Sequence, residues 1–217
     1  MTIQKYLHSC ILLQEGDTKL LFDPGKYCFL EKKITPADIG EVDIIVLTHQ
    51  HADHYWPEAL HELVAMHQPR IICSEEIGEL LKEEDLEYEV IQNEEKKEIG
   101  DFTIQAFEAE HGPLPVPICH NFAFLINGKF LHPGDSYSVR GVDKCEVLAL
   151  PIAAPWSKLV DPIEWVKRLR PGKVIPIHDA YLKDYSRQGT FYKLAGQIFE
   201  QEKIDFQPLE LGDKLDI

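Results

Sequence analysis

The segment Thr48-His49-Gln50-His51-Ala52-Asp53-His54 places four side chains able to bind a metal ion within six positions. With histidine at only 10 of 217 residues, an H-x-H-x-D-H run arises by chance in roughly one such chain in a thousand. Backbone alternation points His49 and His51 to one side, and the turn that follows brings Asp53 and His54 round to an adjacent side. One loop is thereby placed to serve two ions. Clustered imidazoles and carboxylates gain little without a cation between them, so a purely structural role is disfavoured.

Three more donors stand just beyond expected strands: His111 after the strand ending near Glu108, Asp135 in Gly134-Asp135-Ser136 after Lys129 to His132, and His178 after Lys173 to Ile177. Open α/β sheets place their ligand crevice at such carboxyl ends. The set comprises imidazoles and carboxylates with no thiolate, which suits zinc first and admits manganese or iron. Two dications about 3.5 to 4 Å apart lower the pKa of a bridging water from 15.7 towards roughly 7 and polarise a carbonyl or phosphoryl oxygen.

The order and character of these motifs resemble the metallo-β-lactamase superfamily over nearly the whole chain. The resemblance implies an α/β (α+β) fold, an αββα four-layer sandwich of two pseudo-symmetric halves. It implies two divalent metal ions, with His49, His51 and His111 holding one, Asp53, His54 and His178 the other, and Asp135 shared. Tyr6-Leu7-His8-Ser9-Cys10, Phe22-Asp23-Pro24 and His132 three residues before Asp135 further resemble the branch with ascorbate-6-phosphate lactonases and phospholipase D-like members. The expected function is a binuclear hydrolase that uses a metal-bridging hydroxide to cleave a small lactone, ester or phosphodiester. Antibiotic hydrolysis is not expected, because the β-lactamases of this superfamily carry cysteine where Asp135 stands. An iron-dependent redox protein of the same fold is the alternative, but the di-iron oxygen-reducing relatives have glutamate at the position of His51. A non-catalytic metal-binding protein is a third reading, disfavoured because every ligand position is filled.

Around the ligands, Asp53 is the candidate to orient the water and accept its proton, or it serves as a ligand alone. Asp23 either fixes an imidazole tautomer or is a plain turn carboxylate before Pro24. His132 and His8 either protonate a leaving group or are buried histidines satisfied by backbone, and neither is read as a ligand. His120 is a candidate pocket residue, while His61 and His67 are expected at the surface. Tyr55, Trp56, the proline-rich segment His111 to Pro117, and Pro155-Trp156 are expected to rim a compact, partly apolar pocket.

The elements that must position these groups are legible in outline. Short strands are expected at Ile3 to Leu7, Cys10 to Gln14 and, after a Gly16-Asp17 turn, Thr18 to Asp23. Val42 to Thr48 is a continuous apolar run of the kind covered on both faces of a sheet. A helix at Pro57 to His67, a strand at Arg70 to Cys73, an acidic helix capped by Ser74, and strands at Tyr88 to Gln92 and Phe102 to Glu108 follow. The second half repeats the plan: a hairpin around Asn127-Gly128, a strand at Val147 to Leu150, a helix at Asp161 to Arg170, a strand at Lys173 to Ile177, and a helix near Thr190 to Gln201. We therefore expect one hydrolase domain over residues 1 to 217.

Composition bounds the rest. Thirty-seven acidic against 22 basic residues give a formal charge of -15, a field that repels nucleic acid and anionic membranes and leaves a small molecule as the expected substrate. Residues 75 to 98 hold eleven of the acids and three lysines, which reads as a solvated helix face and hairpin. Five cysteines without a C-x-x-C pair suggest reduced thiols, and with no export signal and no run long enough for a membrane span they point to the cytoplasm. The oligomeric state is not legible.

Overall fold

The computed structural model describes residues 1–217. The first sheet is built from β1 (Thr2–Lys5), β2 (Ile11–Glu15), β3 (Thr18–Phe22), β4 (Ile44–Val46), β5 (Arg70–Cys73) and β6 (Glu89–Val90). The second contains β7 (Lys96–Ile99), β8 (Phe102–Glu108), β9 (Phe122–Ile126), β10 (Phe130–His132), β11 (Val147–Pro151), β12 (Lys173–Ile177) and β13 (Asp205–Phe206). The last strand, β14 (Lys214–Asp216), returns to the first sheet and pairs antiparallel with β1. The orders are β14-β1-β2-β3-β4-β5-β6 and β13-β12-β11-β10-β9-β8-β7. Each sheet runs from antiparallel hairpins into parallel strands, β3 to β6 in one and β10 to β13 in the other. The expected pseudo-symmetry is thus visible in the topology.

Period-two alternation explains the layering. Leu20, Phe22, Ile44, Val46 and Ile72 face Val147, Ala149, Ile175 and Ile177 in a core between the sheets. Their neighbours Leu21, Ile45, Ile71 and Cys73 point outward to Leu60, Leu63, Ile77 and Leu81 on α3 (Pro57–His67) and α4 (Glu75–Glu83). On the opposite side Leu148, Leu150 and Val174 pack on Ile163, Val166 and Phe199 of α5 (Val160–Leu169) and α7 (Lys193–Gln201). The result is the αββα sandwich.

The smaller elements depart from expectation. Single helical turns, α1 (Lys26–Phe29) and α2 (Pro36–Ile39), occupy the loop after β3, and α6 (Asp184–Ser186) leads through a π-helical turn at Arg187–Tyr192 into α7. Part of the stretch read as one helix from Thr190 is thus the wider turn. β13 and β14, two and three residues long, were not expected. The acidic stretch divides into α4, capped by the Ser74 hydroxyl, and edge strand β7 paired with β8.

One buried ion pair ties the loop after β12 to β1. Lys5 Nζ lies 2.7 Å from Asp179 Oδ2, the Tyr192 hydroxyl donates to the same oxygen, and both charged groups are almost fully buried. Burial opposes ionisation of Asp179, but the Lys5 ammonium and the tyrosine bond hold its pKa below the usual range. Its stabilisation is present above the unfolded value of about 3.9 and is lost as pH falls through the depressed folded value. Asp179→Ala, which strands the Lys5 charge, is expected to destabilise the protein by about 3 to 5 kcal/mol at pH 7. The loss should shrink below about pH 4, as measured by urea unfolding across pH.

Candidate metal centre

Strands of both sheets deliver their donors to one end of the sandwich. His8 follows β1, Asp23 follows β3, the His49 to His54 loop follows β4, His111 follows β8, Asp135 follows β10 and His178 follows β12. They meet in two groups, one of His49, His51, His111 and Asp135 and the other of His8, Asp53, His54 and His178, each with its ligand atoms within 4.8 Å of one another. Every residue expected as a ligand lies in one of the two.

Hydrogen bonds on the outer side of each ring settle which nitrogen faces inward. Thr48 Oγ1 gives its proton to Asp23 Oδ2 at 2.7 Å, so at 3.0 Å it accepts from His49 Nδ1 and leaves Nε2 as the free lone pair. His54 Nδ1 donates to Asp23 Oδ2 at 2.7 Å, His178 Nδ1 to the Ala153 carbonyl at 2.7 Å, and His111 Nδ1 to the Gly112 carbonyl at 2.7 Å. Cys119 Sγ stands 3.6 Å from His51 Nε2, which leaves His51 Nδ1 inward, 3.1 Å from His111 Nε2. Two ring nitrogens at that spacing hold either a proton or a cation between them.

Asp135 occupies the seam between the groups. Its Oδ1 is 3.1 Å from His54 Nε2, and its Oδ2 is 3.1 Å from His178 Nε2 and 3.5 Å from His111 Nε2. Trp156 Nε1 donates to Oδ2 at 3.0 Å. His49 Nε2, His54 Nε2, His178 Nε2 and Asp135 Oδ1 are buried with no hydrogen-bond partner in the protein. Orphaned buried polar atoms of this kind are rare unless an ion completes them. The residues therefore fit a pair of bound cations.

The electrostatics agree. Burial, aided by His54, holds His49 well below the ordinary imidazole value, and burial with His111 lowers His51. Burial also opposes charge on His178, but Asp135 and Asp53 overcome it and raise the pKa to about 9; Asp135 and Asp23 raise His54 in the same way. Burial works against ionised Asp135 and Asp53 too, and the facing imidazoles hold both well below the usual carboxylate range. The carboxylates thus pull positive charge into the crevice, and a dication supplies it without occupying the nitrogens with protons.

Supporting residues complete the frame. Asp23 fixes the His54 tautomer, and its Oδ1 also accepts the Thr48 backbone N–H at 2.9 Å. Asn121, which carried no motif in the sequence, accepts the Asp135 N–H at 3.0 Å and donates to the Ala109 and Pro133 carbonyls at 3.2 and 3.0 Å. It couples the His111 and Asp135 loops. A Cβ on Gly134, at φ +58, would stand 2.0 Å from Asn121 Oδ1, so that turn needs glycine. His8, Asp23 and His178 themselves adopt φ of 61, 43 and 59, strained conformations that cost about 1 to 3 kcal/mol each and cluster at functional sites.

The remaining candidates stand partly where expected and partly elsewhere. His132 stacks on Phe22 with its Nε2 donating to the Ser9 carbonyl at 3.1 Å and its Nδ1 accepting from Gly134 N–H at 3.2 Å. Both nitrogens are engaged by backbone, so His132 braces the loop and is not available to a leaving group. His8 Nδ1 accepts from the Ala180 N–H at 3.4 Å, so its Nε2 donates to Asp53 Oδ2 at 3.1 Å. Burial pushes its pKa down to about 4, with His178 adding to the shift, so neutral His8 orients Asp53. Tyr55 is buried in the α3 layer and forms no rim. His120 is exposed and lines a cavity of about 320 Å³ beside His111. His61, exposed, pairs with Glu84 at 3.1 Å. The sequence missed Tyr181, whose hydroxyl donates to Asp53 Oδ2 at 3.1 Å.

Two facing sheets that deliver paired imidazole and carboxylate clusters to one end define the class of metal-dependent hydrolases with the metallo-β-lactamase fold. The chain belongs to the β-lactamase superfamily, whose domain model matches residues 2–178. It is 28% identical over 221 residues to the protein Rv0786c of Mycobacterium tuberculosis, covering 96% of each chain. It is also 28% identical over 189 residues to a UPF0173 metal-dependent hydrolase of Carboxydothermus hydrogenoformans, covering 79% of this chain and 81% of that one. Among solved structures it resembles Igni18, a metallo hydrolase of Ignicoccus hospitalis, with a TM-score of 0.76 at 18% identity over 99% of this chain and 98% of the other. No helix is long and apolar enough to cross a membrane.

Loss of the Asp23 carboxylate frees the His54 ring and the Thr48 hydroxyl together. Asp23→Ala is expected to weaken metal binding about 10- to 100-fold in chelator competition. Far-ultraviolet circular dichroism should be retained.

Proposed function

We propose that residues 1–217 act as one domain, a binuclear metal-dependent hydrolase of a small lactone, ester or phosphodiester. The position of Asp135 carries this reading: one carboxylate reaches His54, His178 and His111 and so spans both donor groups. The nitrogen and oxygen donor set supports zinc, with manganese or iron as substitutes. Bound dications supply a hydroxide at neutral pH and draw electron density from the substrate's carbonyl or phosphoryl oxygen.

The protein's own residues prepare that chemistry. His49, His51 and His111 would hold one ion and Asp53, His54 and His178 the other, each ring fixed by its outer hydrogen bond. Asp53 also stands where it can accept a proton from the attacking water, with His8 and Tyr181 both donating to its Oδ2 and fixing that oxygen. His132 is excluded as a proton donor by its backbone bonds. The Tyr181 hydroxyl faces the same carboxylate from an exposed side chain and is the group left to meet substrate. Five buried free cysteines accord with a reducing compartment, the cytoplasm.

Elemental analysis of the zinc-reconstituted protein is expected to find two ions per chain, and at most one in Asp135→Ala. Asp53→Asn is expected to lower kcat for a lactone or phosphodiester about 10²- to 10⁴-fold, in keeping with loss of a general base. Two ions retained in Asp135→Ala with unchanged turnover would overturn the assignment.

A further inference from the structure

Outside the two donor groups, Trp156 is the side chain that donates to the Asp135 carboxylate, its indole Nε1 standing 3.0 Å from Oδ2. Oδ2 is the oxygen that reaches a ring of each group, at 3.1 Å from His178 Nε2 and 3.5 Å from His111 Nε2, while Oδ1 lies 3.1 Å from His54 Nε2. The half-buried indole is near the same two rings, with centroids 5.9 Å from His111 and 6.4 Å from His178. An indole N–H donates and does not accept or ligate. Its bond therefore serves to hold Asp135 and not to hold an ion.

The fold makes room for this contact. A Cβ on Gly112 would stand 2.1 Å from Trp156 Cδ2 and Cε3, so the indole is seated against bare backbone at the residue after His111. Gly112 in turn accepts from His111 Nδ1 at 2.7 Å and gives its N–H to the Asp135 carbonyl at 2.8 Å. The loop that carries Trp156 has a separate anchor in Tyr137, whose hydroxyl donates to the Pro151 carbonyl at 2.6 Å and lies 2.9 Å from Ser157 Oγ. Tyr137 fixes the loop, and Trp156 uses that fixed position to aim the carboxylate.

Carboxylates bind cations through one oxygen or through both. An Asp135 side chain free to turn could place both oxygens on the first cation to arrive and leave the other group short of a donor. Held at Oδ2, it makes that turn only by breaking the indole bond. Resting on the two-ion hydrolase reading, we propose that Trp156 is a positioning residue that keeps Asp135 shared between the two groups, so that binding of the first cation does not disable the site of the second. It acts through Asp135 and is not itself a ligand.

The test titrates zinc into the metal-stripped full chain under chelator competition and resolves the two binding steps. Trp156→Phe keeps an aromatic ring and removes the N–H, and it is expected to weaken the second step about 10- to 100-fold while the first changes by less than about threefold. Tyr137→Phe removes the loop anchor and keeps the indole; it should lower thermal stability and leave both zinc steps at wild-type values. In the wild-type protein the Trp156 indole N–H resonance should stay protected from solvent exchange at one and at two equivalents of zinc. Two zinc steps in the wild type with an unchanged second step in Trp156→Phe would overturn the proposal and leave the two-ion reading standing. Equal weakening of both steps in Trp156→Phe, equal loss of the second step in Tyr137→Phe, or loss of indole protection on zinc binding would each overturn it as well. A single zinc step in the wild type would overturn the two-ion reading and the proposal together.

Discussion

Nitrogen lone pairs turned toward a buried carboxylate are the constraint to which the rest of this structure answers. Asp135 Oδ1 and the inward atoms of His49, His54 and His178 have been taken out of water without hydrogen-bond partners of their own. Such a cluster is unfavourable unless positive charge sits among the donors and each donor is held from behind. The second requirement explains the outer shell. Asp23, Thr48, Asn121 and the carbonyls of Gly112 and Ala153 are each committed to a ring or loop that faces the crevice. The side chains of Asp23, Thr48 and Asn121 spend their polar atoms on these bonds.

The sandwich supplies that rigidity economically. The donor loops leave strands with at least one buried apolar face, and in β4 and β12 a one-residue slip would turn Val46 or Ile177 out of the inter-sheet core. Cross-links between loops then remove the residual freedom: Gly112 N–H donates to the Asp135 carbonyl at 2.8 Å, Phe122 N–H to Thr48 at 2.9 Å, and His178 N–H to His8 at 3.2 Å. The core sets the positions of the strand ends, and these backbone bonds set the aim of the side chains.

How much of this was legible in the sequence depends on how local each signal is. His49 to His54 stand in one run, and His111, Asp135 and His178 each follow an apolar strand, so their convergence could be read from strand ends. The four-layer plan was implied by the resemblance of the motifs, while runs such as Val147 to Leu150 showed on their own only as buried strands with helices outside. Asn121, Tyr181 and the bond of His132 to the Ser9 carbonyl could not be read, because their partners lie 12 or more residues away and no spacing marks them. β13 and β14 escaped because two- and three-residue strands are too short to show a period. Lys96–Ile99 was legible only as part of a hairpin and not by its bounds, because its charged residues suit an exposed edge as well as a loop.

The left-handed backbone at His8, Asp23 and His178 sets folding stability against activity. Glycine at any of the three would relax the main chain and deprive the crevice of a donor or its brace. Selection for heat resistance alone would therefore erode these positions first, and a thermally hardened descendant that has lost its activity should carry its changes there.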